Sequence, residues 1–145
     1  MAIVSKKAPT ELDVHPLIAN RWSPRAFIAD TDIPNTDLHL ILEAARLAPS
    51  AFNEQPWRYF VGKRGDETFN QILLGLGEFN QKWAKNSSVL LLVCGTKQRS
   101  NGEPHPSYQY DLGLSVSQAT FQAHHLGYIS HQMTGFNHDA MCKAF

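Results

Sequence analysis

The spacing of apolar positions along this chain switches between two patterns. Over residues 35–47, Leu38, Ile41, Leu42 and Ala45 recur at i, i+3, i+4 and i+7, while His39, Glu43 and Arg46 share the opposite side. This predicts an amphipathic helix capped by Asn35 or Thr36. Pro49 stops it, because a proline forces the preceding Ala48 out of the helical region. A second stripe of Leu112, Val116, Ala119, Ala123 and Leu126 predicts a helix over 107–126, with Gly127 as its stop. Val89-Leu-Leu-Leu-Val-Cys94 is instead a continuous apolar run between polar neighbours, the pattern of a strand covered on both faces. Shorter elements follow from weaker signals: a helix within 10–20 capped by Asp13, extended chain through Phe27, a strand over 57–62, and helices over 66–74 and 78–85. A strand over 128–133 and a final helix capped by Asn137 complete the set. Residues 95–106, rich in glycine, proline, serine and asparagine, predict a mobile loop. Helices first, then strands separated by helices, predict an α+β fold with a three-layer α/β/α core in one domain over 1–145.

Composition adds little to this picture and removes several alternatives. Of 145 residues, 43% are hydrophobic and 18% charged, values of an ordinary globular domain with a packed core. Lysine plus arginine equals aspartate plus glutamate at 13 each, so no basic excess invites nucleic acid, and any anion site must be local. No segment reaches the roughly 18 apolar residues of a membrane helix. The N-terminus turns polar at Ser5-Lys6-Lys7 and lacks a leader pattern. The two cysteines, Cys94 and Cys142, have no metal or redox spacing, and Cys94 ends an apolar run as a buried thiol would. Together these features give a cytoplasmic expectation. The seven histidines are scattered, without the paired spacing of a metal site, so no metal is expected.

Two segments carry candidate chemistry. In Arg21-Trp-Ser-Pro-Arg25-Ala-Phe27, Pro24 keeps Ser23 extended. Residues 21, 23 and 25 of an extended chain project to one side. Two guanidinium groups flanking a hydroxyl make a cup for a phosphate; the plain alternative is two exposed arginines beside a helix end. In Ala48-Pro-Ser-Ala-Phe-Asn-Glu-Gln-Pro-Trp57, a polar turn follows a helix stop. Asn53 and Gln55 each offer both donors and acceptors, as the edge of a flavin or a ribityl chain requires; the plain alternative is loop punctuation with Trp57 in the core.

Taken together, the string Arg-x-Ser-x-Arg-x-Phe, a capped helix and Ala-Pro-Ser-x-x-Asn-x-Gln-Pro-Trp resembles the nitroreductase family of flavoproteins. The resemblance continues through Asn80-Gln-Lys-Trp-Ala-Lys, Asp111-Leu-Gly, the long helix to Leu126-Gly127 and His131-Gln-Met-Thr-Gly-Phe136, in order over residues 15–145. It implies a nitroreductase-like mixed sheet flanked by helices, and a homodimer with FMN bound at the interface. Arg21, Ser23 and Arg25 would hold the phosphate end, with Trp22 contributing through its backbone or ring. Pro49, Ser50 and Asn53 would approach the flavin bound mainly by the other subunit. Asn80 and Lys82 would reach the ring or ribityl chain, Lys82 being equally readable as a solvated helix charge. Gln132, Met133, Thr134 and Gly135 would lie near the reactive edge, Met133 being equally readable as core filler. Asp111 reads as a capping or loop-bonding residue rather than a catalytic acid. No catalytic side chain is assigned, because the flavin itself carries the hydride. NAD(P)H would be the co-substrate, and nitroaromatics, quinones or enals the acceptors.

The chain departs from the family pattern at one point. Family members continue past the last helix into a further sheet strand and a tail with a basic residue near the flavin phosphate. Here the C-terminal strand is missing, which would expose a sheet edge. The alternative function class is therefore a non-catalytic module that binds flavin or dimerises without turnover.

Overall fold

Residues 6–145 are described in a computed structural model. The first helix, α1 (Pro16–Ala19), is shorter than its sequence signal, and His15 caps it in place of Asp13: its Nδ1 accepts from the Leu17 amide at 3.2 Å. The amphipathic helix forms as α2 (Asn35–Arg46), with Leu38, Ile41 and Ala45 buried. Neither Asn35 nor Thr36 caps it. Pro34 occupies the cap, and the Asn35 carbonyl Oδ1 instead accepts from Lys63 Nζ at 2.6 Å. Strand β1 (Trp57–Lys63) leads to α3 (Glu67–Gly75), α4 (Glu78–Ala84), β2 (Val89–Gly95), α5 (Tyr108–His125) and α6 (His138–Ala144). Asp66 caps α3 by accepting from the amides of Phe69 and Lys63 at 2.7 and 2.8 Å. These bonds favour the ionised carboxylate and hold its pKa below the ordinary value. Asn137 caps α6 as expected, accepting from the Ala140 amide at 3.0 Å.

β1 and β2 pair antiparallel, Trp57 opposite Gly95 and Lys63 opposite Val89. Each face of this ribbon has its own apolar cluster. On one side Ile33, Leu38, Ile41, Ala45, Ala119 and Ala123 pack α2 and α5 against Tyr59, Val61 and Val89. On the other, Phe69, Ile72, Leu76, Trp83 and Met141 bring α3, α4 and α6 onto Phe60, Leu90, Leu92 and Cys94. The three-layer α/β/α arrangement and the two-sided covering of β2 follow directly. Gly62 permits the tight fit of α3: a Cβ there would stand 2.5 Å from the Phe69 backbone. Ser115, fully buried on α5, ties the first layer together by donating to Ala45 O at 3.0 Å and bonding the Tyr59 hydroxyl at 2.7 Å.

Two expectations are corrected. Residues 128–133 form no strand, so the sheet among the described residues consists of β1 and β2 alone, within the expected α+β arrangement. The segment is fixed by side chains instead of a ladder, through His131 and Gln132, and its continuation bonds to the α3–α4 junction: the Gly77 amide donates to Gly135 O at 2.9 Å and the Asn137 amide to Gly75 O at 2.8 Å. Residues 95–106, expected as a mobile loop, are bonded throughout. The Arg99 amide donates to Glu103 O at 2.8 Å, the Gly102 amide to Arg99 O at 2.9 Å and the His105 amide to Lys97 O at 2.9 Å. Among the described residues no helix is long and apolar enough to cross a membrane, and no group of three metal-binding side chains comes together.

Candidate functional site

Segments far apart in sequence converge beside α4. Arg21 Nη1 donates to Ser23 Oγ at 3.2 Å, so these two side chains share a side as the extended reading requires. Pro24 is fully buried, and its carbonyl meets His131 Nδ1 at 2.8 Å. His131 packs on Trp83, ring centroids 4.6 Å apart, and Trp83 in turn stacks on Phe27 at 5.8 Å. These contacts fix the Arg21–Phe27 segment against His131 at its middle, Pro24, and, through Trp83, at its Phe27 end. Arg25 turns towards α4, its guanidinium 5.8 Å from the centre of the exposed Phe79 ring. At the next residue, Asn80 Nδ2 donates to Gly135 O at 3.1 Å. A Cβ on Gly135 would lie 2.9 Å from that nitrogen, so only glycine lets the 131–135 segment close on α4 without displacing Asn80.

The other residues expected in this group differ in how far they join these contacts. Gln132 Nε2 donates to Thr120 Oγ1 at 2.8 Å, which docks the segment onto α5. Met133 is half-buried against the Trp83 cluster, while Thr134 and Gly135 are exposed. Trp22 is half-buried, with Lys6 Nζ 5.9 Å from its ring centre. Lys82 is exposed and enters none of these contacts.

The second segment lies elsewhere. Pro49, Ser50 and Ala51 border an open groove of about 420 Å³ whose other wall is the first turns of α5, Ser107, Tyr110, Asp111 and Leu114. Asp111 and Thr120 are nine residues apart on α5, so the points at which the turn and Gln132 bond to this helix lie roughly 13 Å apart along its axis. Residues 51–53 form a single 3₁₀ turn, and three residues of the segment adopt left-handed backbone: Phe52 (φ 54°), Asn53 (φ 58°) and Gln55 (φ 48°). A left-handed residue other than glycine costs roughly 1–2 kcal/mol. Asparagine tolerates it, whereas phenylalanine and glutamine need to be held there.

Several contacts do so. Ser50 Oγ accepts from the Gln55 amide at 3.0 Å, and Asp111 Oδ2 accepts from the Ala51 amide at 3.1 Å. The Glu54 carboxylate accepts from the amide and hydroxyl of Ser100 at 2.8 and 3.1 Å, and the Arg99 guanidinium lies 4.9 Å from the centre of the Phe52 ring. Asp111 is thus a loop-bonding residue, as its sequence context suggested. His131, Trp83 and Phe79 escaped assignment from sequence, although all three neighbour residues that were assigned. His105 was unforeseeable, since nothing polar around it in sequence signals burial.

The residues fit a phosphorylated, heteroaromatic group. Arg21, Ser23 and Arg25 offer charged and hydroxyl donors on a short irregular segment without a carboxylate among them, and Asn80 with the glycine-bearing 134–135 backbone offers amide groups at short range.

Residues 18–73 match the model of the nitroreductase family. The chain is 31% identical, over 66% of its length, to an oxygen-insensitive NADPH nitroreductase of Helicobacter pylori, of which the match covers 44%. It superposes on the crystal structure of an FMN-containing oxidoreductase with a TM-score of 0.87 and 39% identity, over 94% of this chain and 70% of that one. The fold is shared with a protein of Exiguobacterium sibiricum solved in complex with FMN (TM-score 0.78, 24% identity, 95% of this chain and 82% of that one). The chain spans about half, or less, of the length of the curated nitroreductases it matches.

Proposed function

The chain belongs to the nitroreductase family, and from that premise we propose that it is an FMN-dependent oxidoreductase, passing a hydride from NAD(P)H to nitroaromatic, quinone or related acceptors in a ping-pong cycle. The observation that carries this reading is the convergence of Arg21–Arg25, Asn80 and Gln132–Gly135 on one side of α4, tied by the His131–Pro24 and Asn80–Gly135 bonds. FMN supplies the hydride chemistry when bound.

The residues of this chain bind and orient. Arg21 and Arg25 neutralise the phosphate, with Ser23 and the Trp22 backbone or ring beside them. Asn80, and Lys82 through its mobile charge, address the ribityl chain and ring. Gln132, Met133, Thr134 and Gly135 line the reactive edge, where exposed backbone at 134–135 leaves room for a substrate to stack. Pro49, Ser50 and Asn53 complete the site of a second subunit. That assignment is supported by their place at the far end of α5 and by exposed Leu40, Leu47 and Tyr110 on the helices between. The Ser50 hydroxyl, having accepted from Gln55, still has its own proton to donate. The proposal accordingly includes a homodimer, NAD(P)H as co-substrate and a cytoplasmic setting.

The test is reconstitution of the full chain with FMN. A visible flavin spectrum, a dimeric mass and acceptor-dependent NAD(P)H consumption with parallel double-reciprocal lines are expected. Flavin binding without turnover would instead identify a non-catalytic flavin-binding or dimerisation module.

A further inference from the structure

The Ser50–Gln55 turn is the most strained backbone among the described residues, and its deepest anchor is a buried ionisable pair that the proposed cofactor contacts do not use. Asp111 and His105 are each 2% exposed. Asp111 sits in the first turn of α5, where the helix dipole favours a negative charge. One of its oxygens, Oδ2, serves both the Ala51 amide at 3.1 Å and, at 3.4 Å, His105 Nε2. The contact to Nε2 is within ion-pair range but lacks hydrogen-bond alignment, and that nitrogen has no hydrogen-bond partner. Behind it, His105 Nδ1 meets Ser107 Oγ at 3.3 Å, and the His105 amide is held by Lys97 O.

A carboxylate removed from water is retained only where it is paired and hydrogen-bonded. Here its pairing converges on a single backbone N–H, that of the residue immediately before two left-handed positions. Ser50 reaches this point in extended conformation (φ −146°, ψ 156°), so the direction in which Phe52 and Asn53 leave the chain is set by where the Ala51 amide is pinned. The other anchors, exposed Ser100 on Glu54 and half-buried Arg99 on Phe52, come from a loop. Asp111 alone ties the turn to a long helix.

We propose that Asp111, with His105 behind it, is a positioning residue that holds the Ser50–Gln55 turn in its left-handed shape and so sets how Ser50 and Asn53 are presented to flavin. The second half of this statement rests on the FMN reading above; the first does not.

Amide exchange and flavin titration of the full chain separate the two. In the unmodified protein the Ala51 amide, in an otherwise exposed turn, should exchange at least tenfold more slowly than an unstructured amide. Asp111→Leu, which removes the acceptor, should speed exchange over residues 51–55 at least tenfold, leave β1 and β2 unchanged and weaken FMN binding about tenfold. Asp111→Asn, which keeps an oxygen in place, should restore both properties to within about threefold. Unchanged exchange over 51–55 in a folded Asp111→Leu protein would overturn the proposal, and so would released exchange with unaltered FMN affinity. Should Asp111→Leu fail to fold, exchange at the unstructured rate for Ala51 in the unmodified protein would be equally decisive against it. Failure of the unmodified protein to bind FMN would overturn the cofactor reading and with it the flavin half of this proposal, while the exchange arm still decides the other half.

Discussion

At the Thr120 end of α5, Arg21–Phe27, α4 and residues 131–135 are held by many modest contacts: one carbonyl–imidazole bond, one amide–carbonyl bond, and aromatic stacking through Trp83. Near Asp111, the Ser50–Gln55 turn, with its unfavourable backbone, is held by several contacts focused on it, one of them to a buried carboxyl group. The first arrangement distributes its stability, so that its charged groups stay exposed and free to meet a ligand. The second concentrates it, because left-handed backbone persists only where its surroundings over-determine it. The same domain thus builds a tolerant, charge-bearing half-site and a stiff, shape-bearing one.

The largest effect should come from removing the charge of the tolerant half. Arg21→Ala combined with Arg25→Ala forfeits two charge-assisted contacts of roughly 1.5–3 kcal/mol each, about a hundredfold or more in FMN affinity. Flavin-fluorescence titration checks this, and the melting temperature should stay nearly unchanged because neither arginine is buried. A Tm collapse would show that the charge-bearing half is structural after all. Next is the scaffold beneath the stiff half. Ser115→Ala leaves the Tyr59 hydroxyl without its partner and removes one of the donors to Ala45 O, and should cost about 2 kcal/mol in urea unfolding. A loss of about 1–2 kcal/mol is expected for His131→Ala, which breaks one hydrogen bond and the packing on Trp83 in the distributed half. Amide exchange should then accelerate in residues 131–136 and not in 51–55. Equal acceleration in both would erase the contrast.

The smallest effect concerns pH. Burial raises the pKa of the Tyr59 phenol, partly offset by its bond to Ser115. A raised folded pKa means the neutral form is the one stabilised. Its contribution is complete below the unfolded value of about 10 and is lost as pH rises through the folded value. Chemical denaturation at pH 8 and at pH 10.5 should show this loss, and Tyr59→Phe should reduce it.

Much of the fold was legible because it depends on patterns local to a helix or strand. The i, i+3, i+4, i+7 stripe gave α2 within a residue or two, and the uninterrupted apolar run gave β2. Arg21 and Ser23 were readable as neighbours because Pro24 constrains the backbone between them. What escaped shares one property: its partners are distant in sequence. Residues 128–133 have the composition of a strand, yet His131 and Gln132 spend their bonding on Pro24 and Thr120 rather than on a ladder. Phe52 and Gln55 carry no sign of left-handed backbone, because the groups that hold it, Asp111 and Ser50, act through the Ala51 and Gln55 amides and not through side-chain type. The 95–106 loop looked mobile for the same reason: nothing in its sequence announces that His105 will be buried beside Asp111.

Helix α5 also acts as a ruler for the whole protein. Asp111, Ser115 and Ala119 fall four residues apart on one stripe, facing Ala51, the Ala45 carbonyl and the α2 cluster in turn, and Thr120 follows to receive Gln132. Inserting or deleting one residue between 111 and 120 would turn everything beyond it by about 100°, so the two half-sites would lose their mutual phasing at once. Among related chains the length of this stretch should therefore be fixed, while loops at either end are free to grow or shrink.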